Sequence, residues 1–281
     1  MGSAIVITSG KGGTGKTAMT CGIGSALAKS GKRVLCLDMD VGLRNLDLAL
    51  GMNDRALMDF TDVLFGRCTL ARAAVEHPKL PGLFLLTAPV HFDRRRAVST
   101  GAMQALMKQI LAQYDFCLID CPAGIGQGFH LAASCADRAI LTVTNDSAAL
   151  RDAQQVVLQL RPYGIPAKLV VNRVSRWMVR KIQMNVDDAM DMAGLPLLGV
   201  IPEDRKVPVA NAKGELLVTQ QSRGAARGYE NIAQRLCGKR VPIGWKCVVF
   251  HSSQRDTPPP SPTNFNNQRN FIEDTNREER D

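Results

Sequence analysis

Short, continuous apolar runs alternate with longer stretches in which apolar residues recur every three or four positions, as far as about residue 237. Continuous apolar runs are typical of strands covered on both faces in a parallel sheet, and the longer spacing is typical of helices. The predicted strands cover residues 4–7, 33–37, 83–86, 116–119, 139–144, 167–171 and 196–201. The predicted helices cover residues 18–30, 56–65, 70–75, 101–113, 146–160, 176–193, 207–211 and 224–236. This alternation predicts an α/β fold with a doubly wound, mostly parallel sheet and helices on both faces.

The same pattern predicts one domain over residues 1–238, followed by two segments of different composition. Residues 251–281 are rich in Pro, Asn, Gln and charged side chains, which predicts a disordered polar tail. Residues 239–250 combine Lys and Arg with bulky apolar side chains, as an interfacial membrane anchor does. Pro242 and Gly244 oppose a helix at the start of this segment, so a degenerate membrane-targeting segment and a carboxyl terminus that does not anchor both stay open.

Residues 10–17 match the phosphate-binding pattern G-x-x-x-x-G-K-[ST] between the first predicted strand and the first predicted helix. Glycines allow backbone N–H groups to converge on phosphate oxygens, and the helix amino terminus adds partial positive charge. Lys16 is predicted to bind the β- and γ-phosphates, and the Thr17 hydroxyl to bind Mg²⁺. The nucleotide-binding residues predicted here are Gly10, Lys11, Gly12, Gly13, Thr14, Gly15, Lys16, Thr17 and Ala18. A glycine-rich turn without a ligand is the alternative interpretation.

Carboxylates follow two of the predicted strands directly. Asp38 and Asp40 come after the strand at 33–37, and Asp120 comes after the strand at 116–119. In open α/β sheets, ligands bind beyond the carboxyl ends of the strands, so these side chains are expected near the phosphates. Asp120 has the Walker B arrangement and is predicted to hold Mg²⁺ opposite Thr17. We assign Asp38 to Mg²⁺ or to hydrogen bonding around it; a simple turn-capping role is the alternative.

The net charge of +9 favours an anionic partner, such as a nucleotide, a nucleic acid or an acidic lipid surface. Part of the excess is concentrated at Arg94-Arg95-Arg96 and between Arg173 and Lys181.

The eight cysteines form no C-x-x-C pair, so we expect neither a disulfide framework nor a zinc site. The amino terminus has no signal-peptide pattern, and no run approaches the length of a membrane span, so a cytoplasmic protein is expected.

Lys11 is a second lysine, directly after the first glycine, which an ordinary phosphate loop does not need. This arrangement resembles the deviant Walker A P-loop ATPases of the MinD/ParA family. The runs at 40–47, 122–125 and 199–204 resemble the MinD branch most closely, and the resemblance covers about residues 3–238. It implies that Lys11 reaches across a dimer interface to the partner's nucleotide, and that Asp40 orients the hydrolytic water. With Lys16, these are the predicted catalytic residues.

The resemblance also implies a base pocket at the ends of two later strands. Asn172 would read the adenine edge, and Arg173 would stack on the base. The loop of Pro202, Glu203 and Asp204 would line the pocket. A plain strand-end turn is the alternative for the first pair.

The resemblance implies a Mg²⁺-dependent switch that forms a homodimer when ATP is bound and hydrolyses the ATP to ADP and phosphate. Its biology would be division-site placement, with a MinC-like inhibitor, a MinE-like activator and a peripheral position on the inner face of the cell membrane. The sequence leaves open a ParA-like DNA-partition or flagellar-number ATPase, a metal-cluster carrier, and an adaptor that no longer hydrolyses. Ala18 replaces the usual second Thr of the loop, and Cys121 replaces a common Ser.

Overall fold

The computed structural model describes residues 2–42, 44–90, 98–144, 146–175 and 186–243. The described residues form a sheet in the order β3-β4-β2-β5-β1-β6-β7-β8. Its strands are β1 (Ser3–Thr8), β2 (Val34–Asp38), β3 (Val75–Glu76), β4 (Leu83–Leu86), β5 (Phe116–Asp120), β6 (Arg138–Thr144), β7 (Ala167–Val174) and β8 (Leu197–Pro202). Neighbouring strands are parallel except for the short edge strand β3, which pairs antiparallel with β4.

Helices cover both faces of this sheet. They are α1 (Lys16–Lys29), α2 (Asn45–Leu50), α3 (Phe60–Leu64), α4 (Leu70–Ala73), α5 (Thr100–Gln113), α6 (Gln127–Ala133), α7 (Ser147–Leu160), α8 (Val186–Ala193), α9 (Lys206–Lys213), α10 (Leu217–Gln220) and α11 (Ala225–Leu236). No helix in the described part of the chain is long and apolar enough to cross a membrane.

Alternate residues of the central strands supply two separate cores. Ala4 and Val6 of β1 pack in the core that includes α5 and α7, whereas Ile5 and Ile7 pack in the core that includes α1 and α11. Each of these four side chains is fully buried, because a parallel sheet is covered on both faces. The predicted doubly wound α/β fold is confirmed.

Four short elements were not predicted from the sequence: β3, α2, α6 and α10. The helix predicted over 56–65 begins only at Phe60, since Asp59 caps it and forms a capping box with Asp62. The helix predicted over 70–75 ends at Ala73, because Val75 joins the edge strand.

Several predictions concern residues outside the described ranges. These are the arginine-rich loop at 94–96, the first part of the helix predicted over 176–193, most of the segment 239–250, and the tail 251–281. The rest of the helix predicted over 176–193 is present as α8.

Candidate active site

The glycine-rich loop connects β1 to α1 and has left-handed backbone at two glycines. Gly13 has φ of +76° and Gly15 has φ of +96°, a conformation that side-chain-bearing residues rarely adopt. A Cβ on Gly15 would lie 2.4 Å from Asn172 Nδ2. The loop therefore needs glycine here both for its curvature and for its close contact with β7.

Lys16 begins α1, and its side chain is largely buried beneath the loop. Its Nζ donates a hydrogen bond to Ser9 Oγ at 3.1 Å. Its charge also lowers the pKa of Asp40 and of Asp120, although burial has the larger effect on both carboxyls. Lys16 is therefore close enough to interact electrostatically with both carboxylates. A phosphate chain bound by the loop would interact with the same ammonium group.

Asp120 ends β5 and is held by two hydroxyl groups of α1. Thr17 Oγ1 donates to Asp120 Oδ2 at 2.7 Å, and Thr20 Oγ1 lies 3.3 Å from Oδ1. Burial raises the pKa of Asp120, and the hydrogen bond from Thr17 opposes the rise. The effect of burial is larger, so the resulting pKa is about 6. Thr20 was not predicted from the sequence; its position three residues after Thr17, on the same helix face, was the available signal.

Asp38 ends β2 beside Asp120, and its carboxylate is fully buried. Its Oδ1 accepts the N–H of Asp40 at 2.8 Å, and its Oδ2 lies 3.4 Å from the N–H of Leu46. Burial, followed by the charge of Asp120, raises the pKa of Asp38 to about 7. Because both oxygens face backbone amides, this geometry fits a residue that shapes the loop after β2 rather than a direct metal ligand.

Asp40 is only partly buried and lines a cleft of about 830 Å³ together with Lys16 and Thr17. Burial raises the pKa of its carboxyl, and the charge of Lys16 opposes the rise. The glycines of the loop form one wall of the cleft, and residues of α2 and α9 form another. A carboxylate facing this space can accept a hydrogen bond from a water molecule in it.

Lys11 forms an ion pair within its own chain. Its Nζ lies 3.1 Å from Asp146 Oδ1, and both side chains are well exposed. Asp146 is also the N-cap of α7, where it accepts the N–H of Ala149. An exposed ion pair contributes about 0–1 kcal/mol, so Lys11 can exchange this partner for another at little cost.

Asn172, predicted to read the base, braces the phosphate loop instead of pointing a free amide into the cleft. Its Nδ2 donates to the carbonyl oxygen of Thr14 at 2.7 Å, and its Oδ1 accepts the N–H of Arg173 at 2.9 Å. Arg173 has φ of +54°, which is unusual for a residue with a side chain. Arg173 also lines a smaller cleft of about 330 Å³ with Lys11 and Glu203.

Asp204 is used as a cap for two helices. Its Oδ1 accepts the N–H of Lys206 at 3.0 Å at the start of α9, and its Oδ2 accepts the N–H of Ala225 at 3.2 Å at the start of α11. Pro202 ends β8, and the N–H of Glu203 donates to the carbonyl oxygen of Val174. The predicted base loop is therefore tightly tied to the ends of β7 and β8.

The residues present fit a magnesium–nucleotide. Hydroxyl and carboxylate oxygens, as in Thr17 and Asp120, are the ligands that Mg²⁺ prefers. The described residues hold no group of three or more His, Cys, Asp or Glu side chains arranged around a metal position. The remaining ligands would therefore come from water and phosphate oxygens. Thr14 Oγ1 is buried without a hydrogen-bond partner among the described residues, which is consistent with a phosphate acceptor at the loop.

A strand, a glycine-rich loop and a helix that bring Lys16 and Thr17 to the carboxylate of Asp120 define a P-loop nucleotide-binding protein. Residues 5–218 match the family model of the CobQ/CobB/MinD/ParA nucleotide binding domain, and the chain belongs to this family.

Curated relatives agree with this membership. The chain is 41% identical over 246 residues to the septum site-determining protein MinD of Synechocystis sp., covering 86% of this chain and 92% of that protein. It is 37% identical over 246 residues to the septum site-determining protein MinD of Bacillus subtilis, with the same coverage.

Solved structures of similar proteins have the same fold. In the MinC:MinD cell division protein complex of Aquifex aeolicus, the matched chain has a TM-score of 0.80 and 37% identity, covering 86% of this chain and 98% of that chain. MinD of Pyrococcus horikoshii complexed with Mg-ADP has a TM-score of 0.75 and 30% identity, covering 84% and 96%. The predicted class is confirmed: a MinD-like ATPase that uses ATP and Mg²⁺.

Proposed function

We propose that the protein is an ATP-dependent dimerising switch that takes part in placing the division site. The observation that carries the proposal is the convergence of Lys16, Thr17 and Asp40 on one cleft, with Asp120 hydrogen-bonded to Thr17. This arrangement can bind a triphosphate, hold its metal and orient a water molecule. The septum site-determining relatives support the biological setting.

In this proposal, the residues of the cleft divide the work of hydrolysis. The loop amides and Lys16 would hold the phosphate chain, and Thr17 and Asp120 would hold Mg²⁺, which would supply positive charge to offset that of the phosphates. Asp40 accepts a hydrogen bond from the attacking water and fixes its direction. Asp38 keeps Asp40 in place through the backbone N–H of that residue.

Lys11 acts in the dimer by exchanging partners. In the single chain its ammonium is paired with Asp146 on the surface. When two ATP-bound copies meet, Lys11 leaves Asp146 and binds the phosphates of the partner's nucleotide. Because the exposed pair is weak, a phosphate chain of high negative charge is the stronger partner.

We further propose a MinC-like inhibitor and a MinE-like activator as partners of the ATP-bound dimer. The MinC:MinD complex of Aquifex aeolicus motivates the first of these. The protein would be cytoplasmic and peripheral on the inner face of the cell membrane. Lys239 and Arg240 are exposed at the start of the segment proposed to meet anionic lipid. A DNA-partition role is the less favoured alternative, since the matched ParA family ATPase of Chlorobium tepidum, at 18% identity, supports only the fold.

The proposal is tested with the Asp40→Ala and Lys11→Ala variants, with Lys108→Ala, an exposed lysine on α5, as a control. Asp40→Ala should bind ATP with little change and lose turnover by about 100-fold or more, as expected for a residue that orients the reacting water. Lys11→Ala should remain monomeric with ATP and Mg²⁺ in light scattering, where the wild type and Lys108→Ala dimerise. Normal hydrolysis by Asp40→Ala, or ATP-dependent dimers of Lys11→Ala, would contradict the assigned roles.

Membrane association is tested by co-sedimentation with vesicles that contain anionic lipid, in ATP and in ADP. The full chain should sediment more in ATP, and a chain ending at Gly238 should stay in the supernatant. Sedimentation of the shortened chain would exclude the carboxyl-terminal segment as the anchor. Binding to DNA with a steep dependence on salt, in place of vesicle binding, would favour the partition alternative.

A further inference from the structure

Two helices that border the nucleotide cleft end against each other, glycine to glycine. Gly51 is the carboxyl-terminal cap of α2 and Gly214 that of α9, with φ of +66° and +61°. A Cβ on Gly214 would lie 2.4 Å from Gly51 Cα, and a Cβ on Gly51 would lie 2.4 Å from the carbonyl oxygen of Gly214. All of these contacts are with backbone atoms, so no side-chain rotation could relieve them. Neither position has room for a methyl group.

The amino-terminal end of α2 is connected to the candidate catalytic carboxylate. The N–H of Leu46, in the first turn of α2, faces Asp38 Oδ2 at 3.4 Å. The other oxygen of Asp38 accepts the N–H of Asp40 at 2.8 Å. A displacement of α2 along its axis therefore acts on Asp38 and, through it, on the backbone of Asp40.

The carboxyl-terminal end of α2 is held from a second side by His77. Its Nε2 lies 3.1 Å from the carbonyl oxygen of Leu50, and its Nδ1 accepts the N–H of Lys79 at 3.1 Å. The two contacts together require a neutral ring with its proton on Nε2. His77 is buried, so this end of α2 is supported by His77 on one side and by α9 on another.

The amino-terminal end of α9 lies next to the loop predicted to bind the base. Asp204 caps its first turn, directly after Glu203, and the N–H of Val207 donates to the carbonyl oxygen of Asp204. A helix of eight residues is about 12 Å long. α9 therefore forms a short rod from the base loop to the end of α2.

We propose that Gly51 and Gly214 are positioning residues for ATP hydrolysis: their contact sets the separation of α2 from α9 and thereby the position of Asp40. The base loop, α9, the paired glycines, α2 and Asp38 form one continuous series of contacts that ends at Asp40. This inference rests on the proposed role of Asp40. Glycine has no side chain that could take part in the reaction, so the pair would affect turnover only indirectly, through the position of Asp40.

The test compares Gly214→Ala with Gly194→Ala. Gly194 follows α8 with φ of +64°, and a Cβ there would meet nothing within 4 Å. The two variants therefore carry the same backbone strain, but only the first one presses against another helix. Gly214→Ala should lower kcat by about tenfold with KM for ATP changed less than about twofold, because a small misplacement of a reacting group slows turnover strongly. Gly194→Ala should leave both values near those of the wild type.

Hydrogen exchange at the amide of Leu46 gives a readout that does not depend on activity. Exchange should be faster in Gly214→Ala than in the wild type and unchanged in Gly194→Ala. Gly51→Ala should act like Gly214→Ala, and the double variant should lose less kcat than the product of the single effects, since one contact is broken in all three. If Gly214→Ala fails to fold, Gly51→Ala with the same two readouts decides the matter.

Equal kcat values for the Gly214 and Gly194 variants, or an unchanged Leu46 amide in both the Gly214 and the Gly51 variants, would overturn the inference. Failure of the proposed function has a different signature. In that case Asp40→Ala would hydrolyse ATP normally, while the Leu46 amide would still respond to substitution of Gly214.

Discussion

The residues predicted to bind phosphate, here called the phosphate side, and the residues predicted to bind the base, here called the base side, use their polar side chains in different ways. On the phosphate side, Lys16, Thr17 and Asp40 line the space where a ligand would lie. On the base side, Asn172 and Asp204 direct their side-chain hydrogen bonds to the protein itself, one to the phosphate loop and one to two helices. The side chains of the phosphate side face the cleft, whereas those of the base side stabilise the phosphate loop and the ends of the two helices.

The largest effect should come from the phosphate side. Lys16→Gln removes the cation that faces the phosphate chain, so ATP turnover should fall to background, by about 1,000-fold or more. The measurement is phosphate release together with titration calorimetry of Mg·ADP. Lys108→Gln, on the exposed face of α5, is the control and should match the wild type. Turnover by Lys16→Gln above about a tenth of the wild-type rate would remove the distinction between the two sides.

The two buried carboxylates predict a pH effect of intermediate size. Burial raises the pKa of Asp120 to about 6 and that of Asp38 to about 7, above their ordinary value of 3.8. A raised pKa in the folded state stabilises the fold most below the unfolded-state value, and this contribution is lost as the pH rises through the folded-state value. The nucleotide-free protein should therefore lose stability between about pH 4 and pH 7, and Mg²⁺ with ADP should restore it.

The pH effect is measured by urea unfolding of the wild type and of Asp120→Asn, without and with Mg·ADP. Thr17 and Thr20 can turn their hydroxyl groups toward the amide, so the variant should fold. Without ligand, Asp120→Asn should gain stability relative to the wild type as the pH rises from 5 to 8. With Mg·ADP it should lose stability instead. Asp54→Asn, at an exposed position, should show neither trend; a flat difference for Asp120→Asn would show that this carboxylate is not strained in the empty site.

The smallest effect concerns the base side. Asp204→Ala removes the caps of α9 and α11 and should lower stability by about 1–3 kcal/mol, with KM for ATP changed less than about threefold.

Asn172→Ala leaves the carbonyl oxygen of Thr14 without its donor and should weaken Mg·ADP binding by about tenfold, because the phosphate loop loses the hydrogen bond that supports it. Thermal unfolding and calorimetry measure both. If Asp204→Ala weakened nucleotide binding as much as Asn172→Ala, its carboxylate would have a direct part in the base pocket.

The sequence was a good guide where chemistry and chain order coincide. The phosphate loop lies between β1 and α1, and Asp38 and Asp120 end strands, so their place at the carboxyl edge of the sheet followed from the apolar runs alone. The second hydroxyl on Asp120, from Thr20, was missed because its value depends on how α1 faces β5. The edge strand β3 was missed because two residues carry no periodicity.

The amino-acid sequence by itself determined the doubly wound α/β fold, the phosphate loop and the carboxylates at neighbouring strand ends. Each of these is encoded by residues close together in the chain, through hydrophobic periodicity and a fixed spacing of glycine, lysine and threonine. The tertiary structure alone decided that Asn172 supports the loop at Thr14, that Asp204 joins two helices, and that Gly51 meets Gly214. Such contacts join residues far apart in the chain, and only the packing of the helices on the twisted sheet brings them together.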